Sequence, residues 1–245
     1  MKRPLDRHAE WAMDNLARPD IIGDFGSLFT DAILADGSVS IVQPLADFIS
    51  EGAARPDLRS PFKFARGALV ADIAHFINIS HGRHPGIVDH AAHKIADDAA
   101  RTWLIKAIDG FAVERRFLNA LTVAAGPERR HQGENKVAAL ITGQTRNFEM
   151  LASSERKGCP AGAALAFVID WHQTRPCLEA VALHVGLDVP LVALPSIHEC
   201  TQVAENLGMT DNYCRAMRFG AEQILAQQRG LWRLIAARHI EALAT

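Results

Sequence analysis

The sequence has little from which to build a sheet. Alternating β-branched and polar runs are almost absent, aromatics make up 7% of the 245 residues, and there is a single tyrosine, Tyr213. Alanine and leucine dominate instead, which favours helix over strand. The four cysteines, Cys159, Cys177, Cys200 and Cys214, are widely spread and form no CxxC pair. Free thiols in a reducing compartment are the better reading of them. A net charge of −2 leaves no basic field for nonspecific nucleic-acid binding. The longest apolar run, 161–169, is too short to span a bilayer as a helix. The opening stretch MKRPLDRHAEWAMDN lacks the apolar core of a secretory signal. Together these absences point to a cytoplasmic protein. They are joined by the lack of a P-loop, a Gly-x-Gly-x-x-Gly turn or a Gly-x-Ser-x-Gly elbow.

What is present is ordinary globular composition, 49% apolar and 22% charged, on a chain long enough for a sizeable core. Helical periodicity predicts short amphipathic pieces at about 5–18, 24–36 and 40–53, then longer helices at about 61–81, 86–125, 134–155, 159–186 and 211–243, with a short one at about 196–206. Gly110 is a possible bend in the 86–125 helix, and Pro176 interrupts 159–186. LDVPLVALPS is irregular because two prolines break it. The expected fold is all-α: an antiparallel bundle of about five long helices in one domain, 1–245, with 1–57 as peripheral short helices and 58–245 as the bundle.

Each long helix carries a polar residue on or beside its apolar seam. Glu114 lies amid Phe111 and Leu118, Gln144 amid Ile141 and Phe148, Asp170 amid Phe167 and Thr174, and Gln228 amid Ile224 and Leu231. Asp72 sits beside the stripe Leu69, Ile73 and Phe76, with His75 one turn on. Buried carboxylates are costly unless paired or metal-bound. Two readings follow: a polar layer that holds a metal or small ligand, or a hydrogen-bonded core network. In the network, Glu114 and Asp170 would meet Arg66, Arg115 or Arg146, or the glutamines. Asp72 and His75 are the candidate metal pair. A di-iron bundle wants two helical Glu-x-x-His motifs. The only Glu-x-x-His here is Glu128–His131, in a loop.

HGRHPGIVDHAAH, 81–93, spells a helix end, a Gly-x-x-Pro turn and a new helix start. Zinc could draw on its histidines, but the spacing is no recognised zinc pattern. An anion on the free N–H groups of the second helix, with Arg83, His84, Asp89 and His90 around it, fits the turn better. A solvated corner needs neither. A helix-turn-helix could be laid on 29–49, yet its second helix offers Gln43 and no Lys or Arg.

Four blocks carry a family resemblance: HGRHPGIVDHAA, FAVERRFLNALTVAAGP, RKGCPAGAALAFVIDW and FGAEQILAQQRGLW. They resemble an uncharacterised all-helical family of alphaproteobacterial, chiefly sphingomonad, proteins. The resemblance covers the chain from about residue 60 onward, implies a bacterial protein and one continuous domain, and carries no catalytic residue. The functional expectation is a helical-bundle protein binding a small ligand, anion or metal in its core or at the 81–93 corner. The alternative is a non-enzymatic helical protein-interaction module, with a homodimer as its candidate assembly, or less readily a DNA-binding regulator.

Overall fold

The computed structural model describes residues 24–54, 62–127 and 134–239. These form nine helices, and no strand occurs among the described residues. In chain order they are α1 (Phe25–Asp36), α2 (Val39–Ala54), α3 (Phe62–His81), α4 (Ile87–Ala92), α5 (Asp98–Ala125), α6 (Glu134–Ala152), α7 (Cys159–Val185), α8 (Ile197–Leu207) and α9 (Asp211–Arg238). The all-α expectation holds, with five long helices: α3, α5, α6, α7 and α9. The helix expected at about 5–18 and the Glu128–His131 loop lie outside the described residues.

The architecture is organised around α7. From Cys159 to Trp171 every residue of this helix is buried. A helix that is apolar on all sides belongs inside a protein rather than at its surface. Accordingly α7 packs against each of the other eight described helices. Small residues let neighbours come close. A Cβ on Gly162 would sit 1.9 Å from the Met217 carbonyl oxygen of α9, and one on Gly220 would sit 2.1 Å from that of Cys159. Thus α7 and α9 touch backbone to backbone. One hydrophobic cluster runs from Phe25 in α1 to Ile235 in α9.

The helix ends follow local chemistry. Pro160 stands in the first turn of α7, where a missing N–H costs little, and Gly186 closes that helix in the left-handed region at φ 71°. Ser196 and Glu199 form a capping box on α8: the Glu199 N–H donates to Ser196 Oγ at 3.2 Å, and the Ser196 N–H donates to Glu199 Oε2 at 2.7 Å. Pro176 does not break α7, which continues to Val185.

One expectation fails. The stretch read as a single helix over 86–125 is two, α4 and α5, separated at 93–97. Gly110 is not the break. No glycine or proline marks the true one. There α4 buries Ile87, Val88 and Ala91, and the Lys94 and Ile95 N–H groups both turn back to the Ala91 carbonyl. Asp97 then opens α5 in extended backbone, with Asp98 in its first turn, where a negative charge favours a helix start. No single described helix is long and apolar enough to cross a membrane.

Candidate functional site

Among the described residues four carboxylates are buried: Asp72, Asp89, Glu114 and Asp170. Each is held by donors from another part of the chain.

Glu114 of α5 is fully buried. Its Oε2 accepts from Arg175 Nε at 2.8 Å and from Trp171 Nε1 at 3.1 Å, both on α7. Arg175 is itself buried and spends its other donors on Glu179 Oε1 at 3.0 Å and the Pro190 carbonyl at 3.1 Å. Its guanidinium lies over the Phe117 ring, 4.3 Å from the centroid. The Pro190 contact ties the pair to the irregular segment 187–196, a strap that packs on α5 and α7. His172 donates from Nε2 to the Pro195 carbonyl at 2.8 Å. Leu194 is buried against Gly110, where a Cβ would meet the Leu194 Cδ2 at 2.8 Å and the Ala193 oxygen at 2.9 Å. Gly110 is therefore the crossing point of strap and α5, not a bend.

Asp170 faces elsewhere. Its two oxygens accept from the Ser38 N–H at 2.6 Å and from Ser38 Oγ at 2.8 Å, at the start of α2. The neighbouring Gln173 donates to the Leu34 carbonyl at 3.0 Å. Arg229 of α9 pairs with Asp36 at 2.7 Å. Together these three side chains fasten the α1–α2 corner to α7 and α9. Gly37 has no room for a side chain there, because a Cβ would lie 2.1 Å from Gln173 Oε1 and 2.8 Å from Asp170 Oδ1. Burial pushes the Asp170 carboxyl above the ordinary carboxylate range, against the lowering pull of both Ser38 hydrogen bonds.

Asp72 and His75 do not converge. Asp72 Oδ2 accepts from Arg238 Nε at 2.7 Å and from His239 Nε2 at 2.9 Å, at the end of α9. Burial alone would raise this carboxyl, but the hydrogen bonds from His239 and Arg238 outweigh it and hold it below the usual value. His75 donates from Nε2 to the Gly126 carbonyl at 2.8 Å, at the end of α5. Among the described residues no group of three or more His, Cys, Asp or Glu side chains could hold a metal ion.

At the corner, Asp89 occupies the place an anion would take. Its Oδ2 accepts from the Gly86 N–H at 2.7 Å and from Arg115 Nη1 at 2.8 Å. His84 Nε2 stands 3.6 Å from the other oxygen. Arg83 is exposed and His90 half-buried. The geometry thus brings His84, Asp89 and Arg115 together. Glu114 bonds instead to Trp171 and Arg175, and Asp170 to Ser38.

Sequence reasoning missed the partners. Arg175 and Ser38 carry no local signal: one precedes a proline inside a helix, and the other follows a glycine in a turn. Their roles arise from contacts 61 and 132 positions away in sequence. A second buried centre was also missed. His81 is enclosed by the rings of Phe148, Phe167 and Trp171, with centroids at 5.1, 5.0 and 5.7 Å. Its Nε2 meets Gln228 Oε1 at 3.0 Å, which explains the glutamine on the α9 seam. Burial lowers the His81 pKa to about 4, partly opposed by Gln228. Gln144 donates to the Gln227 carbonyl. All four cysteines are buried and unpaired. Burial pushes the Cys177 and Cys200 thiols up to about 12, so neither is a ready nucleophile.

The fold and its buried network define an all-helical protein built around a central apolar helix. More particularly, residues 52–241 match the model of a family of unknown function, DUF6975, and the chain belongs to that family. No curated protein and no solved structure matches it.

Proposed function

We propose that this chain works as a helical module acting through its surface on another protein, its buried polar residues serving to fix the fold. One observation carries this reading: each of the four buried carboxylates already holds an arginine, a histidine or a backbone N–H of its own chain. A ligand taking these oxygens would have to displace the donors, leaving a buried guanidinium or N–H unpaired at a cost of a few kcal/mol, although Glu114 Oε1 and Asp72 Oδ1 are buried with no hydrogen-bond partner among the described residues. A net charge of −2 favours a protein partner over nucleic acid. The strap offers a contact surface: Leu191 is 90% exposed and Val192 is exposed beside it. On the same footing we place the protein in the bacterial cytoplasm, in keeping with four free cysteines, and its source among alphaproteobacteria, chiefly sphingomonads, on the sequence blocks quoted above.

Metal analysis of the purified chain, followed by thermal-shift assays with divalent metals and inorganic phosphate, tests this. The expected result is no stoichiometric metal and no shift. A bound metal, or a phosphate shift abolished by Asp89→Asn or Glu114→Gln, overturns it. Light scattering of wild type and Leu191→Asp reads whether the partner is a second copy.

A further inference from the structure

A basic face flanks the start of α7. Arg156 and Lys157 are both exposed in the loop that leads into this helix. The loop is held by its own backbone: the Arg156 N–H donates to Ser154 Oγ at 3.3 Å, and the Cys159 N–H donates to the Arg156 carbonyl at 3.0 Å. Gly158 follows at φ 94° and is pressed against α9, where a Cβ would lie 2.8 Å from the Tyr213 carbonyl oxygen and 3.1 Å from the Ala216 Cβ. The loop is thereby seated along α9. The Arg156 guanidinium lies over the Phe219 ring, 5.4 Å from its centroid. Arg215, four positions before Phe219, is exposed on the same face of α9.

The neighbouring carboxylates are turned to other partners. Glu155 pairs with Lys94, and Asp97 accepts from the Tyr213 hydroxyl at 3.4 Å. Glu222, one turn past Phe219, lies near Arg218 and Asp36. Arg215 bonds to Asn212. Among the described residues no carboxylate forms an ion pair with Arg156, Lys157 or Arg215, whereas Arg101, Lys106 and Arg229 pair with Asp98, Glu199 and Asp36. Phe219 remains 42% exposed even under its guanidinium. Arginine and an open aromatic ring are the side chains enriched where proteins meet. A guanidinium held flat on a ring also keeps its N–H edge free for a carboxylate.

We propose that this face binds an acidic segment of a partner protein. Carboxylates of the segment meet Arg156, Lys157 and Arg215, and an apolar side chain meets the open part of the Phe219 ring. The inference rests on the surface function proposed above and gives the partner its chemistry. Nucleic acid is the poorer occupant, because a chain of net charge −2 repels a polyanion beyond the patch itself.

Fluorescence anisotropy of the full-length chain tests this, with a labelled synthetic peptide of aspartate, glutamate and leucine as the probe. Wild type should bind the peptide and not its asparagine–glutamine counterpart. Arg156→Ala/Arg215→Ala should weaken binding about tenfold or more. Phe219→Ala should weaken it too, because the ring positions Arg156. Arg116→Ala/Arg233→Ala removes the same charge from exposed sites elsewhere and should leave binding at the wild-type level. Equal loss in the two double variants overturns the proposal, since net charge alone would then account for binding. No binding of the acidic peptide overturns it as well, and so does tighter binding of single-stranded DNA or of phosphatidylglycerol vesicles. Any of these leaves the surface function standing on the strap, which Leu191→Asp reads separately. All substituted side chains are exposed, and circular dichroism checks that each variant keeps the fold.

Discussion

Arg175 and Glu114 meet in the interior, with Nε 2.8 Å from Oε2 and neither side chain open to solvent. Two helices are joined there, and through the Pro190 carbonyl the strap is joined to both. Trp171 completes the set from one turn back. Charge of this kind inside a core is costly unless geometry and further hydrogen bonds compensate it. In this protein three acceptors and one aromatic face surround the guanidinium.

The strap should loosen when its second tether is cut. His172→Ala removes the hydrogen bond to the Pro195 carbonyl. The expected loss of global stability is about 1 kcal/mol. Amide exchange of residues 187–196 should rise while that of α7 and α9 stays at its wild-type level. Hydrogen exchange read by mass spectrometry checks this, and uniform acceleration across the chain would contradict it.

His81 makes a pH prediction with a definite sign. Its folded pKa is lowered from 6.5 to about 4. The unfolded state therefore binds more protons between those values, and stability falls as pH drops through that window. The full effect is about 3 kcal/mol. Asp170 works in the opposite direction, because a raised carboxyl favours the folded state as pH falls. The clean measurement is thus the difference between wild type and His81→Gln in urea unfolding at pH 7, 5.5 and 4.5. Wild type should lose ground to the variant as pH falls. A difference independent of pH would contradict the buried, neutral His81.

Two helical glycines should respond oppositely to alanine. At Gly143 in α6 a Cβ meets nothing within 4 Å, so Gly143→Ala should stabilise by up to about 1 kcal/mol through helix propensity. At Gly162 the same atom would lie 1.9 Å from the Met217 oxygen. Gly162→Ala should destabilise by about 1–3 kcal/mol or prevent folding, because two backbones must part. Thermal unfolding of both variants decides it.

The α1–α2 corner should depend more on Asp170 than on the Ser38 hydroxyl. Ser38→Ala removes one hydrogen bond and should cost about 1 kcal/mol. Asp170→Ala leaves both a buried N–H and a buried hydroxyl without an acceptor, and should cost about 2 kcal/mol or more. Equal losses in urea titrations would argue that the corner is held by packing alone.

The helical pattern was legible because apolar spacing is a local property. Phe111, Glu114 and Leu118 mark one face of α5 without reference to any other element, and all three are buried. The break at 93–97 was not legible. It is made by Ile95 packing toward the core and by turns back to Ala91, not by a residue that punctuates helices. Gly110 misled for a related reason. A glycine in a helix reads as a bend, whereas here it makes room for another segment's backbone. The carboxylates Glu114 and Asp170 stood out as polar residues on apolar seams. Their partners did not, since pairing across two helices leaves no mark at either position. Arg175 in particular sits before Pro176, where an interruption of the helix was the simpler expectation.

The most direct test of the structural role assigned to the polar layer is a double-mutant cycle on Glu114 and Arg175, read by urea unfolding. Each single change, Glu114→Leu or Arg175→Met, strands a buried charge and should cost about 3–5 kcal/mol, while the double variant replaces the pair with apolar groups and should recover much of that loss. A coupling of about 2 kcal/mol or more is the predicted result. Losses that add to within about 0.5 kcal/mol would contradict the account, because Glu114 would then be independent of the arginine that contacts it.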